Sequence, residues 1–127
     1  MTKPRMTVEE YRALQGKQNG KKRGEVNKTE GDFERDELAP LKLSGVVVDY
    51  KYESVKFRLA NGAWYTPDFV AWVHGKQRPM VYEIKGFWRE AARVRIKVAA
   101  ELYPQYQFIA VQKKRKKDGG GWEYEWF

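Results

Sequence analysis

A chain of 127 residues has room for one domain and one hydrophobic core. With no cysteine and a single histidine it excludes a disulfide framework, thiolate metal sites and multi-histidine zinc chemistry, so any bound metal must be held by oxygen. The net charge of +8 is concentrated in two short clusters, Lys17, Lys21, Lys22 and Arg23, and Lys113, Lys114, Arg115, Lys116 and Lys117, outside which the chain is nearly neutral.

Residues 1–25 hold few apolar side chains and a polar, glycine-rich, basic run, and read as a flexible arm preceding a domain of residues 26–127. Within the arm, Thr7 and Glu10 form a capping-box pattern for a short helix from Thr7 to Leu14. No stretch approaches the ~20 apolar residues of a membrane span, and charges stand where a signal peptide needs its apolar segment. A soluble, intracellular protein without a membrane partner is expected.

From Asn27 or Thr29 the pattern predicts a helix, with Glu30, Asp32 and Glu34 in the first turns, where the helix dipole favours acids. Phe33 and Leu41 are its anchors. Gly31 and Pro40 weaken it, so it is expected to end or kink near Leu38, and Ser44-Gly45 marks its limit. Glu30 and Glu37 share the Phe33 face, turned toward the core. Val46 to Tyr52 and Ser54 to Ala60 follow as strands, the second with Val55, Phe57 and Leu59 on one face and Lys56 and Arg58 on the other. Lys56 and Arg58 suit either a nucleic-acid backbone or a solvated face.

Asn61-Gly62 predicts a hairpin turn into the next strand, where Pro67 must lie at an edge or bulge because it cannot donate to a ladder. The stretch from Tyr65 to Gly86 reads as two strands joined near Gly75, with Asp68 just inside the first and Glu83 and Lys85 ending the second. His74, in the turn, reads as solvated. Strand alternation puts Glu83 and Lys85 on one face, and antiparallel pairing about Gly75 puts Asp68 opposite Glu83.

Phe87 to Tyr103 reads as a helix stopped by Pro104, with Ala91, Val94, Val98 and Leu102 as its buried stripe and Ile96 and Tyr103 beside it. Arg89, Arg93 and Lys97 recur every four residues as a basic ridge that either positions a phosphate or is an ordinary surface, with Lys97 pairing with Glu101. Tyr106 to Gln112 and Trp122 to Trp126 are strands that pair as a hairpin around a glycine-tipped loop bearing Lys113, Lys114, Arg115, Lys116 and Lys117. Trp122, Tyr124 and Trp126 are expected to cover apolar surface or a dimer interface rather than to stack on bases. The two basic clusters, Lys21, Lys22 and Arg23 among them, fit a polyanion whose counterions they displace, or serve solubility alone.

Two acids and a lysine on one patch suit metal-assisted phosphodiester hydrolysis. Mg²⁺ (or Mn²⁺ in its place) is held by one or two carboxylates, waters and phosphate oxygens, so Asp68 and Glu83 suffice, with the Ile84 carbonyl as an added ligand. Lys85 then orients a water or stabilises the transition state. The plainer alternative is a half-solvated strand bearing Glu and Lys, next to an ordinary Pro-Asp turn.

Pro67-Asp68 followed by Glu83-x-Lys85 resembles the signature of the PD-(D/E)xK nuclease superfamily, with the restriction-endonuclease-like fold. A longer resemblance runs from Asn27-Lys28-Thr29-Glu30 through Tyr65-Thr66-Pro67-Asp68-Phe69 and Glu83-Ile84-Lys85-Gly86 to Lys97-Val98-Ala99-Ala100-Glu101-Leu102-Tyr103-Pro104. It is similar to small phage and prophage proteins placed in that superfamily beside Holliday-junction resolvases. The resemblance implies an α/β fold: a single domain with a central mixed β-sheet flanked by helices, in the order helix, three strands, helix, strand, plus the C-terminal hairpin. It implies a catalytic acid on the first helix, matched by Glu30 with Glu34 as the fallback. It further implies a Mg²⁺-dependent DNA endonuclease of the bacterial cytoplasm, acting on branched DNA and working as a homodimer. The rival readings are a non-catalytic nucleic-acid-binding or phage–host interaction protein on the same fold, and an RNA-directed nuclease.

Overall fold

The computed structural model describes residues 26–127, so the basic arm, with Lys21, Lys22, Arg23 and the Thr7–Leu14 helix, lies outside the described residues. Helix α1 is built from three continuous pieces, Lys28–Phe33, a π-helical Glu34–Leu38 and Ala39–Leu43. Asn27 caps it through a reciprocal box: its side chain accepts from the Glu30 N–H at 2.9 Å, and Glu30 Oε1 accepts from the Asn27 N–H at 3.1 Å. The helix does not end at Leu38. Pro40 has no N–H to give, and the wider turn in which the Ala39 N–H reaches the Glu34 carbonyl carries the chain past it. The helix stops where Ser44 bonds back to Pro40 and Leu41 and Gly45 takes a positive φ of 88°.

Five strands form the main sheet in the order β1-β4-β5-β6-β7: β1 (Val47–Tyr52), β4 (Phe69–Val73), β5 (Met80–Lys85), β6 (Gln107–Lys113) and β7 (Trp122–Trp126). All neighbours are antiparallel except β5 and β6, whose parallel pairing requires the crossover supplied by helix α2 (Glu90–Leu102). The expected strand from Ser54 shortens to β2 (Phe57–Ala60), which pairs with β3 (Ala63–Tyr65) in a separate two-stranded sheet around Asn61-Gly62. Its face is as expected, with Phe57 buried and Val55 and Leu59 packed beside it.

The central strand β5 is buried along nearly its whole length, as a strand covered on both faces must be. On one face α1 sets Phe33 and Leu38 against Phe69, Tyr82, Ile84, Ile109 and Val111. Leu38 is thus the second buried anchor of α1, while Leu41 is only partly covered. On the other face, α2 and the β2–β3 hairpin pack Ile96, Ala99, Phe57 and Tyr65 against Val70, Val81, Phe108 and Ala110.

The stripe expected to bury α2 is displaced. Val94, Val98 and Leu102 remain 48%, 37% and 49% exposed, and the helix rests instead on Ile96 and Ala99, flanked by Ala92 and Tyr103. Trp122 covers the α1 face, its ring 5.2 Å from that of Phe33, whereas Trp126 stays exposed. Among the described residues no helix is long and apolar enough to cross a membrane.

Candidate active site

The chain from β3 into β4 breaks at Thr66-Pro67-Asp68, so Asp68 stands one residue before β4 rather than inside it. Its backbone leaves the regular ladder here, its N–H turning to β5 and its carbonyl to the opposite side. The Asp68 N–H donates to the Tyr82 carbonyl at 3.1 Å, and Phe69 pairs with Tyr82, which sets Asp68 against Glu83 as the turn geometry requires. Where β4's carbonyls would have continued, Asp68 Oδ2 accepts the Ile84 N–H at 2.7 Å. The N–H and carbonyl of one strand residue project to the same side, so the Ile84 carbonyl also faces the space beyond the end of β4. On Asp68's other flank its carbonyl accepts the N–H of Glu53, a residue held at φ 48° as the chain leaves β1.

Glu83 is buried and doubly held, with Oε1 accepting from the Tyr65 hydroxyl at 2.9 Å and Oε2 lying 3.1 Å from Lys85 Nζ. Glu30 comes from the opposite face of the sheet, around the strand ends. Its charge acts on the Asp68 carboxyl, and its Oε1 accepts from the Tyr52 hydroxyl at 2.8 Å. Glu34 instead accepts from Tyr50 at 2.8 Å, toward β1 and away from Asp68. The structure therefore brings Glu30, Asp68, Glu83 and Lys85 together and leaves Glu34 out.

Burial, then the charges of Glu83 and Glu30, push the Asp68 carboxyl well above the usual carboxylate range. Burial also raises Glu83, against the opposing pull of Lys85, Tyr65 and Arg95. For Lys85, burial works to lower the pKa, but Glu83 and Asp68 together overcome it and the ammonium is held more firmly charged than usual. Tyr52 and Tyr65 are raised first by burial and then by their carboxylate partners, and so remain hydroxyl donors.

Three clustered carboxylates against one ammonium leave an excess of negative charge in a poorly hydrated place. Hard oxygen donors with that balance fit a divalent cation. Among the described residues no group of three or more acidic or histidine side chains is gathered closely enough to hold a metal by itself. Mg²⁺ does not need one, since it retains waters and uses one or two carboxylates. Asp68 and Glu83, with the Ile84 carbonyl, are the residues that would hold it. Beside them Thr66 Oγ1 is buried without a hydrogen-bond partner among the described residues.

The cations expected to meet phosphate divide. Arg89 caps α2 in the open and Lys97 is exposed. Arg93 is not available as a free ridge residue, because both its terminal nitrogens bond the Glu125 carboxylate, one of them at 2.6 Å. Lys113 is likewise engaged, ion-paired to the buried Asp32 of α1. Lys114 is half-buried, Arg115 bonds Asp118 at 2.9 Å, and Lys116 and Lys117 open a short 3₁₀ turn, Lys116–Asp118, with both side chains exposed. His74 is exposed in its turn. Lys56 lies over the Trp64 ring at 4.6 Å.

Sequence reasoning missed Tyr65, Tyr52, Glu53 and Arg95. The last acts on Glu83 and Tyr65 from α2, beside the true buried residue Ile96. Arg95 is exposed between the two apolar stripes of α2, so neither choice of face singles it out, and nothing in the local pattern marks the two tyrosines or Glu53. Comparison of the chain with protein-family models, with curated proteins and with solved structures returns no match.

Proposed function

We propose that the protein is a divalent-cation-dependent endonuclease that hydrolyses phosphodiester bonds in DNA. The observation that carries this reading is the convergence of Asp68, Glu83 and Lys85 at the ends of β4 and β5, with the charge of Glu30 acting on Asp68. A bound Mg²⁺ would supply a more acidic water and offset charge on the phosphate. Asp68 and Glu83 hold that position rigidly, because each carboxylate is fixed by a neighbour, the Ile84 N–H for one and Tyr65 and Lys85 for the other. Lys85, kept protonated by Glu83 and Asp68, does not serve as a base. It donates, orienting a water or meeting the negative charge that develops on the phosphate oxygens. Lys114, Lys116 and Lys117, beyond the neighbouring end of β6, supply the phosphate contacts that hold the strand.

The test is cleavage of labelled linear duplex, single strand, flap and four-way junction with Mg²⁺ or Mn²⁺, comparing wild type with Asp68→Ala and Lys85→Ala. Cutting should need the metal and fall by about 10²-fold or more in each variant. Binding without cutting in either metal, unchanged in both variants, would overturn the catalytic reading and leave a nucleic-acid-binding module.

A further inference from the structure

Phe87 stands apart from the packed phenylalanines. Phe33, Phe57, Phe69 and Phe108 are each locked in ring contacts, whereas Phe87 is 73% exposed. It lies two residues past Lys85, at the bend that leaves β5. Facing this bend is the basic turn after β6, and between them is a cavity of about 450 Å³ lined by Gly86, Phe87, Gln112, Lys114, Arg115 and Glu123, among others. That volume falls within the roughly 300–1,000 Å³ usual for small-ligand sites.

The floor of the cavity is the catalytic face of the sheet. Lys85 pairs with Gln112 and Gln112 with Glu123, and paired residues of neighbouring strands project to the same face. Neighbouring strands lie about 4.8 Å apart, so the row runs from Lys85 through Gln112 to Glu123 over roughly 10 Å. One wall is an aromatic ring with a solvent-facing surface. The floor offers an amide and a carboxylate, and the opposite wall offers Lys114 and the Arg115 guanidinium, which Asp118 orients.

These groups match the parts of a nucleotide. An aromatic face stacks on a base of any identity, an amide and a carboxylate meet the donors and acceptors of its edge, and lysine and arginine meet its phosphate. In a duplex the base edge is occupied by its partner and both faces by neighbours, so only an unpaired nucleotide presents all three at once. The carboxylate of Glu123 disfavours a phosphate on the floor and directs it to the cationic wall.

We infer that this cavity seats one unpaired nucleotide of the DNA substrate, its base against Phe87, its edge toward Gln112 and Glu123 and its phosphate toward Lys114 and Arg115. The inference rests on the nuclease reading and narrows it: the substrate carries a single-stranded segment directly beside the phosphate presented to Lys85.

The experiment measures binding of the full chain without divalent metal, so that nothing is cut. The probes are a blunt duplex and the same duplex with a single-stranded extension containing 2-aminopurine. Wild type should prefer the extended duplex and change the 2-aminopurine fluorescence by stacking. Phe87→Ala should weaken binding of the extended duplex about tenfold, leave the blunt duplex unaffected and abolish the fluorescence change, while Phe87→Trp retains both. The exposed position makes either variant compatible with folding. Equal affinity of Phe87→Ala and wild type for the extended duplex, or equal losses on the two probes, would overturn the inference. Cleavage of the same probes with Mg²⁺ judges the nuclease reading separately: stacking that depends on Phe87 without cleavage would sink that reading and keep the pocket.

Discussion

At Asp68 the fold buries a carboxylate beside two others, and the ammonium that faces the group, Lys85, is bonded to Glu83. Asparagine at this position keeps an acceptor for the Ile84 N–H and removes the repulsion. Asp68→Asn should therefore raise Tm in metal-free buffer at neutral pH. A gain of about 1 kcal/mol corresponds to roughly 4–5 °C for a domain of this size. Mg²⁺ or Mn²⁺ should stabilise wild type clearly and the variant much less, because a ligand that binds only the folded state raises its stability. Thermal unfolding with and without metal checks both; a lower metal-free Tm in the variant would mean that the carboxylate is structural. Asp68, Glu83 and Lys85 were legible in the sequence because strand alternation has a period of two and the turn at Gly75 sets the register. Tyr65 and Tyr52 were not, since a hydroxyl meets its carboxylate here only after β3 and the end of β1 have been brought against strands far away in the chain.

Helix α2 shows where an element-scale pattern runs out. Two stripes at helical spacing share it, Ala91, Val94, Val98 and Leu102 on one side, and Ala92, Ile96, Ala99 and Tyr103 on the other. Periodicity weights the first, which is aliphatic throughout, over the second, which ends on a tyrosine. Packing selects the second, because Phe57 and Phe108 already fill the space over the sheet and a small residue such as Ala99 lets the helix approach. Ile96→Ala should cost about 2–5 kcal/mol, the usual range for truncating a buried isoleucine, and Val98→Ala less than about 1 kcal/mol. Urea unfolding of the pair checks the assignment, and a larger loss at Val98 would reverse it. In α1, too, the irregularity was legible in Pro40, but its form was not: the sequence shows that an N–H is missing, not that a π-turn will bridge the gap.

At the scale of the whole molecule, the basic run after β6 is not one patch but two kinds of residue. Lys113 joins the end of β6 to α1 through the buried Asp32, across 81 positions of chain, whereas Lys116 and Lys117 face solvent. The Asp32 carboxyl is held down to about 2 from its ordinary 3.8, chiefly by the hydrogen bond from Lys113. A carboxyl lowered by folding stabilises the native state above its unfolded value and loses that contribution as the pH falls toward 2. Lys113→Met removes the largest cause, so its acid-unfolding midpoint should move up in pH. Lys116→Ser with Lys117→Ser should leave that midpoint in place and instead flatten the dependence of log K on log[salt] for duplex DNA, by about 0.9 for each phosphate no longer neutralised. Acid titrations and salt titrations of both variants separate the two roles. A salt slope that falls in Lys113→Met as far as it does in the double variant would return Lys113 to the nucleic-acid surface, and would make its bond to Asp32 one that DNA breaks on binding.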